Sequence, residues 1–134
     1  MTRRPAAAKM SPNKEVVSKY FESLRTMDRK ALGSCLTEDA QRVEWADGFE
    51  TSGVPIQGKA AFLESVTDPP GPGGLRIEIT RMTEEGNVVV AECNVRVPMK
   101  DGSFVAVRAL DVFELENGQV KRVDAFTALM KQAA

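Results

Sequence analysis

The sequence predicts an α+β domain in which three N-terminal helices pack on a curved, mainly antiparallel sheet. Two observations carry this. Apolar residues recur at helical spacing through the first half of the chain. From Leu75 onward the period drops to two, in four runs separated by short glycine-containing turns. Helices gathered at the start and strands at the end can bury their apolar faces only against one another, with the helices on one side of the sheet and a cone-shaped pocket between the layers.

The first helix is predicted over residues 12 to 27. Ser11-Pro12 supplies a cap and a first-turn proline, and Val16, Val17, Tyr20, Phe21, Leu24 and Met27 form one stripe. A second, shorter helix runs from Arg29 to Leu36, with Asp28 as its cap and Leu32, Cys35 and Leu36 inward. A third follows Gly58, where "KAAFLESV" buries Phe62, Leu63 and Val66 before "DPPGPGG" ends it. Between the second and third, one strand is expected near residues 41 to 46 and a short one around 50 to 56. Strands over 75 to 83, 87 to 98, 103 to 116 and 119 to 130 then form a meander, because "EEGN", "KDGS" and "ENGQ" are hairpin turns.

The 134 residues suit a single domain over residues 14 to 132, preceded by a flexible tail over 1 to 13 that has neither a hydrophobic period nor the apolar core of a secretory signal. With 43% hydrophobic and 28% charged residues the chain can bury a core. Its 18 basic and 19 acidic residues nearly cancel, and no basic run is interleaved with aromatics, which argues against nucleic acid as a partner. The apolar runs are too short to span a bilayer. Cys35 and Cys93 have no metal spacing and read as two buried thiols in a reducing cytoplasm. No metal and no cofactor is expected. Histidine is absent, so proton transfer would rest on carboxylates, Tyr or Lys.

Asp111 is the sharpest chemical signal. On a strand over 105 to 115 it shares a face with Val105, Val107, Ala109, Phe113 and Leu115, all apolar. Either it turns to water or pairs with Arg108 or Arg122, or it faces a dry pocket that keeps it protonated as a hydrogen-bond donor. Glu44 is the second candidate. Arg42, Glu44 and Ala46 alternate with Val43 and Trp45, and the pattern leaves open which set faces inward. Asp47 belongs to an ordinary Asp-Gly turn. Tyr20 lies in the apolar stripe of the first helix, where its hydroxyl needs a partner.

In combination, "VVSKYFESLRTMDRKALGSCLTEDAQRVEW", "GVPIQGKAAF" and "ALDVFELENGQVKRVDAF" resemble the SnoaL-like, nuclear transport factor 2-like superfamily, a likeness that runs from residue 14 to 130. The resemblance implies a cone-shaped α+β barrel, commonly a homodimer, with a pocket for a hydrophobic small molecule. Its closest functional likeness is to ketosteroid isomerase. That likeness puts an oxyanion-binding tyrosine on Tyr20, a general base on Glu44 and a neutral aspartic acid donor on Asp111. Trp45, Phe62, Val107, Ala109 and Phe113 would line the pocket. Glu44 stands where that enzyme has an aspartate.

Two other branches of the superfamily offer different chemistry. Asp124 resembles the last-strand aspartate of limonene-type epoxide hydrolases and is the alternative acid or base, for a hydrolase or polyketide cyclase. The Arg-x-Asp of those hydrolases is replaced here by "ECNVRV" on the comparable strand. The scytalone dehydratase pattern fails for want of histidines. The remaining reading is a non-catalytic ligand-binding or dimerisation module. A dimer would use the outer face of the sheet, where residues 87 to 98 place Val88, Val90, Glu92, Asn94 and Arg96.

Overall fold

The computed structural model of the protein describes residues 10–46 and 50–130. Residues 1–9 of the expected tail, Asp47 and the last residues of the expected domain lie outside the described residues. The chain runs α1 (Pro12–Thr26), α2 (Arg29–Ser34), β1 (Leu36–Trp45), β2 (Ile56–Gln57), α3 (Lys59–Ser65), β3 (Arg76–Glu85), β4 (Val88–Pro98), β5 (Phe104–Glu116) and β6 (Gln119–Leu129).

The predicted caps form. Ser11 Oγ accepts a hydrogen bond from the Lys14 amide at 3.2 Å, which satisfies one of the orphan donors at the start of α1. Asp28 does the same for α2 through the Ala31 amide at 3.0 Å. Helix α2 ends two residues before the expected boundary, because Leu36 is drawn into β1 opposite Val120 and the Val120 amide donates to the Cys35 carbonyl at 2.7 Å. Strand β1 therefore begins five residues earlier than its sequence pattern suggested. Its pairing with β6 shifts register between Leu36 and Gln41, so its buried residues are Leu36, Ala40 and Val43 and do not alternate.

One six-stranded sheet has the order β2-β1-β6-β5-β4-β3. All neighbours are antiparallel except β1 and β6, which are parallel. The meander from β3 to β6 is as expected, and Asn117 and Gly118 turn the β5–β6 hairpin with both residues at positive φ, 51° and 76°. The expected barrel does not close. Its edge strands β2 and β3 sit at opposite ends of the sheet and do not pair, and β2 is only two residues long. The helices cover one face of the open sheet instead.

The core lies between that side and the helices. Val17, Tyr20 and Phe21 of α1, Leu32 of α2 and Phe62 of α3 meet Val89, Phe113 and Val123 of the sheet. Tyr20 stands edge-on to Phe113 at 5.0 Å and to Phe62 at 6.3 Å between ring centroids. Phe62 and Phe113 are fully buried, each stabilising the fold by roughly 2–3 kcal/mol relative to an exposed ring. Both cysteines are buried and free. No helix among the described residues is long and apolar enough to cross a membrane.

Candidate functional site

Strand register decides which side chains share the helix-facing side. Asp111 of β5 lies opposite Ala91 of β4 and Ala125 of β6, and Ala125 lies opposite Glu44 of β1. These four form one cross-strand row. The neighbouring row runs Val89, Phe113, Val123, Arg42, and its first three members are fully buried against the helices. Arg42 and Glu44 therefore face inward, and Val43 and Trp45 face outward.

Asp111 is 8% exposed, and desolvation by that burial pushes its carboxyl up to about 7 from the ordinary 3.8. Arg42 pulls it down in part and Glu44 pushes it up further. Arg108 and Arg122, the cations that might have paired with it, point to the outer face. There Arg108 bonds Asn94 at 2.9 Å and Arg122 bonds Asp124 at 2.9 Å. The Tyr20 hydroxyl is 97% buried by residue and its acidity is suppressed, first by desolvation and then by the nearby Asp111 and Glu44 charges, against a lowering pull from Arg42.

Neither Tyr20 nor Asp111 has a side-chain hydrogen-bond partner among the described residues, and no side-chain oxygen or nitrogen sealed from solvent there lacks one. The polar atoms of the two unpartnered groups therefore keep some accessible surface. A cavity of about 630 Å³ opens on the same side of the sheet, lined by Glu44, Leu75, Val95, Val97, Val107 and Ala109 among others; Tyr20 and Asp111 are not on its wall, and Ala109, two residues from Asp111 on the same face of β5, is. Glu44 is the one acid on its wall. It accepts a short hydrogen bond from Arg42 Nη2, while Arg42 Nη1 donates to Ser65 Oγ at 3.0 Å and to the Ser65 carbonyl at 3.3 Å.

The sequence-predicted residues thus divide. Tyr20, Glu44 and Asp111 come to one side of the sheet, with Val107 and Ala109 on the cavity wall. Phe62 and Phe113 have no accessible surface and form packed floor rather than lining. Trp45 lies on the opposite face, stacked on Phe126 at 5.8 Å and 6°, and its indole N–H donates to Asp124 at 3.1 Å. Asp124 is on that outer face too, with its carboxyl held below the usual range by the Arg122 hydrogen bond. The strand pleat separates it from Tyr20 and Asp111.

Arg42 is the inward-facing charged residue that sequence reasoning passed over. The signal was the Arg-x-Glu spacing itself, since i and i+2 on a strand must share a face whichever way the strand turns.

Set beside known proteins, residues 17–123 match the SnoaL-like domain family, and the chain belongs to it. No curated protein matches the sequence significantly. Several solved structures share the fold. A candidate ketosteroid isomerase from Kribbella flavida is 19% identical, with a TM-score of 0.71 over 92% of this chain and 82% of its own. An LEH-like epoxide hydrolase from Mycobacterium tuberculosis is 17% identical, with a TM-score of 0.70 over 87% and 83%. Another M. tuberculosis protein, crystallised with estradiol-17beta-hemisuccinate, is 12% identical with a TM-score of 0.72 over 87% and 93%. At these identities the likeness establishes the fold, and the chemistry must come from the residues.

Proposed function

We propose that the protein binds a hydrophobic small molecule in the cavity and transfers a proton at a carbon next to its carbonyl, as a cofactor-independent isomerase. Glu44 shuttles the proton while Tyr20 and Asp111 donate hydrogen bonds to the enolate oxygen. One observation carries this reading: Asp111, nine-tenths buried, raised to about 7 and without a side-chain partner, lies two residues along β5 from Ala109, which lines an apolar cavity on the side of the sheet that Tyr20 packs against. A carboxyl raised to about 7 is still protonated in about half of the molecules at neutral pH, and an enolate oxygen is what that donor would stabilise. The neighbour that holds a steroid ester supports a hydrophobic ligand of comparable size. The test is conversion of β,γ-unsaturated ketones to their conjugated isomers, followed by ultraviolet absorbance. Turnover that falls in Glu44→Gln and Asp111→Leu supports the reading, and no turnover across such a library counts against it.

The Arg42–Glu44 ion pair favours a second reading, a non-catalytic binding module, because a carboxylate already engaged by an arginine is a poorer base. Ligand-induced melting shifts without turnover would select it. Hydrolase or cyclase chemistry at Asp124 has less support, since that carboxylate is paired with Arg122 on the other face. We further infer a homodimer through the outer face and residence in the cytoplasm, where the two free thiols would stay reduced.

A further inference from the structure

The two halves of the Arg42–Glu44 pair are held very differently. Arg42 is 19% exposed in its side chain and is fixed from behind by two hydrogen bonds to Ser65, whose own hydroxyl donates to the Phe62 carbonyl at 2.6 Å. Glu44 is 49% exposed in its side chain, and Arg42 is the one hydrogen-bond partner of its carboxyl among the described residues. An ion pair with one half in solvent contributes little net stability, so the glutamate is cheaply displaced while the arginine stays.

Around this pair the inward groups are mostly donors. The Tyr20 hydroxyl and the Asp111 carboxyl lack side-chain partners, Arg42 lies in the neighbouring row, and Glu44 is the one half-exposed carboxyl among them. The rest of the cavity wall is chiefly aliphatic. We propose that the cavity takes an amphipathic organic anion, an apolar body bearing a carboxylate, and that this carboxylate replaces Glu44 on Arg42. This rests on the small-molecule reading above and adds to it the charge of the ligand and a role for Arg42. Exchanging one carboxylate for another leaves the charge beside Arg42 unchanged, while the apolar body of the ligand gains burial. The displaced Glu44 is then released toward the cavity that it lines. In the isomerase reading the substrate becomes a hydrophobic keto acid, and binding it frees the base. Arg42 is then a specificity-determining residue.

A matched pair of probes tests this: 1-pyrenebutyrate and 1-pyrenebutanol, which share a body and differ in charge, titrated by fluorescence and calorimetry. The wild-type protein should bind the butyrate at least 10-fold more tightly. Arg42→Met, which keeps the apolar stem, should bring the two affinities together. Glu44→Gln should tighten the butyrate several-fold, because it removes the competitor, and this variant serves if Arg42→Met fails to fold. Ala109→Leu should weaken both probes, which places them in the cavity. Equal affinities for the two probes in wild type, or no tightening in Glu44→Gln, would overturn the anion proposal and leave the cavity's small-molecule role standing. Binding of neither probe would overturn both.

Discussion

Asp111 of β5 and Glu44 of β1 stand in one row across the helix-facing side of the sheet, with only Ala125 between them. Two strand spacings put their Cα atoms on the order of 10 Å apart. Only a methyl group stands between two carboxyl groups of opposite habit on the same side of the sheet. One is buried and raised, the other half in solvent and paired with Arg42. A molecule lying along the row would present an oxygen to one and a C–H bond to the other.

The raised pKa of Asp111 predicts a specific dependence of stability on pH. Its folded value of about 7 lies above the unfolded 3.8, so the native state holds the proton more tightly. The resulting stabilisation is fully present below about pH 3.8 and is lost as pH rises through about 7, a total on the order of 4 kcal/mol for a group so deeply buried. Asp111→Asn removes the ionisation and keeps a donor. That variant should match wild type in melting temperature near pH 4 and exceed it at pH 8. A variant less stable than wild type at pH 8 would show that Asp111 is ionised and paired.

Tyr20→Phe should separate packing from recognition. The ring stands edge-on to Phe21, Phe62 and Phe113, and all three contacts survive the substitution. Melting temperature should therefore move by only a few degrees. Binding of a carbonyl ligand should weaken about 5- to 10-fold by calorimetry, the worth of one hydrogen bond of about 1–1.5 kcal/mol. Unchanged affinity would remove the hydroxyl from the site.

Asp111 was legible in the sequence because β5 is regular, and its period of two left a single acid among apolar residues. The face of Arg42 and Glu44 was not. The register shift in β1 breaks its alternation, and only the pairing with β6 reveals that Arg42 lies beside Val123. Trp45 misled for a related reason. A large aromatic next to a candidate base suggests a pocket wall, yet the pleat sends it outward to Phe126, where it remains 41% exposed. The open sheet could not be read either, since the number of strands does not say whether the two edge strands meet.

The outer face predicts self-association. Trp45, Leu110 and Phe126 are each about two-fifths exposed, and the register sets Leu110 directly opposite Phe126 and Phe126 opposite Trp45, one contiguous apolar strip. Such a strip favours burial against a partner, and a second copy of the sheet is the expected one. Analytical ultracentrifugation should report a dimer at micromolar concentration, and Leu110→Glu should convert it to monomer without altering cavity ligand binding. A wild-type monomer at that concentration removes the dimer.

Two alanines on the helix-facing side should respond oppositely to enlargement. Ala91 has no accessible surface and sits in the packed core beside Asp111, so Ala91→Leu forces in three carbons where there is no room and should cost roughly 1–3 kcal/mol. Ala109 is the next inward residue along β5 from Asp111, but it lines the 630 Å³ cavity. Ala109→Leu adds the same volume to empty space. It should leave the melting temperature level or slightly raised, because the new side chain gains apolar contacts. It should also abolish the melting shift that a cavity ligand induces, although no polar group has been touched. Thermal melts of both variants, with and without ligand, decide the matter. If Ala109→Leu loses stability as Ala91→Leu does, the space beside Asp111 is already filled in solution, and a site that depends on it cannot stand.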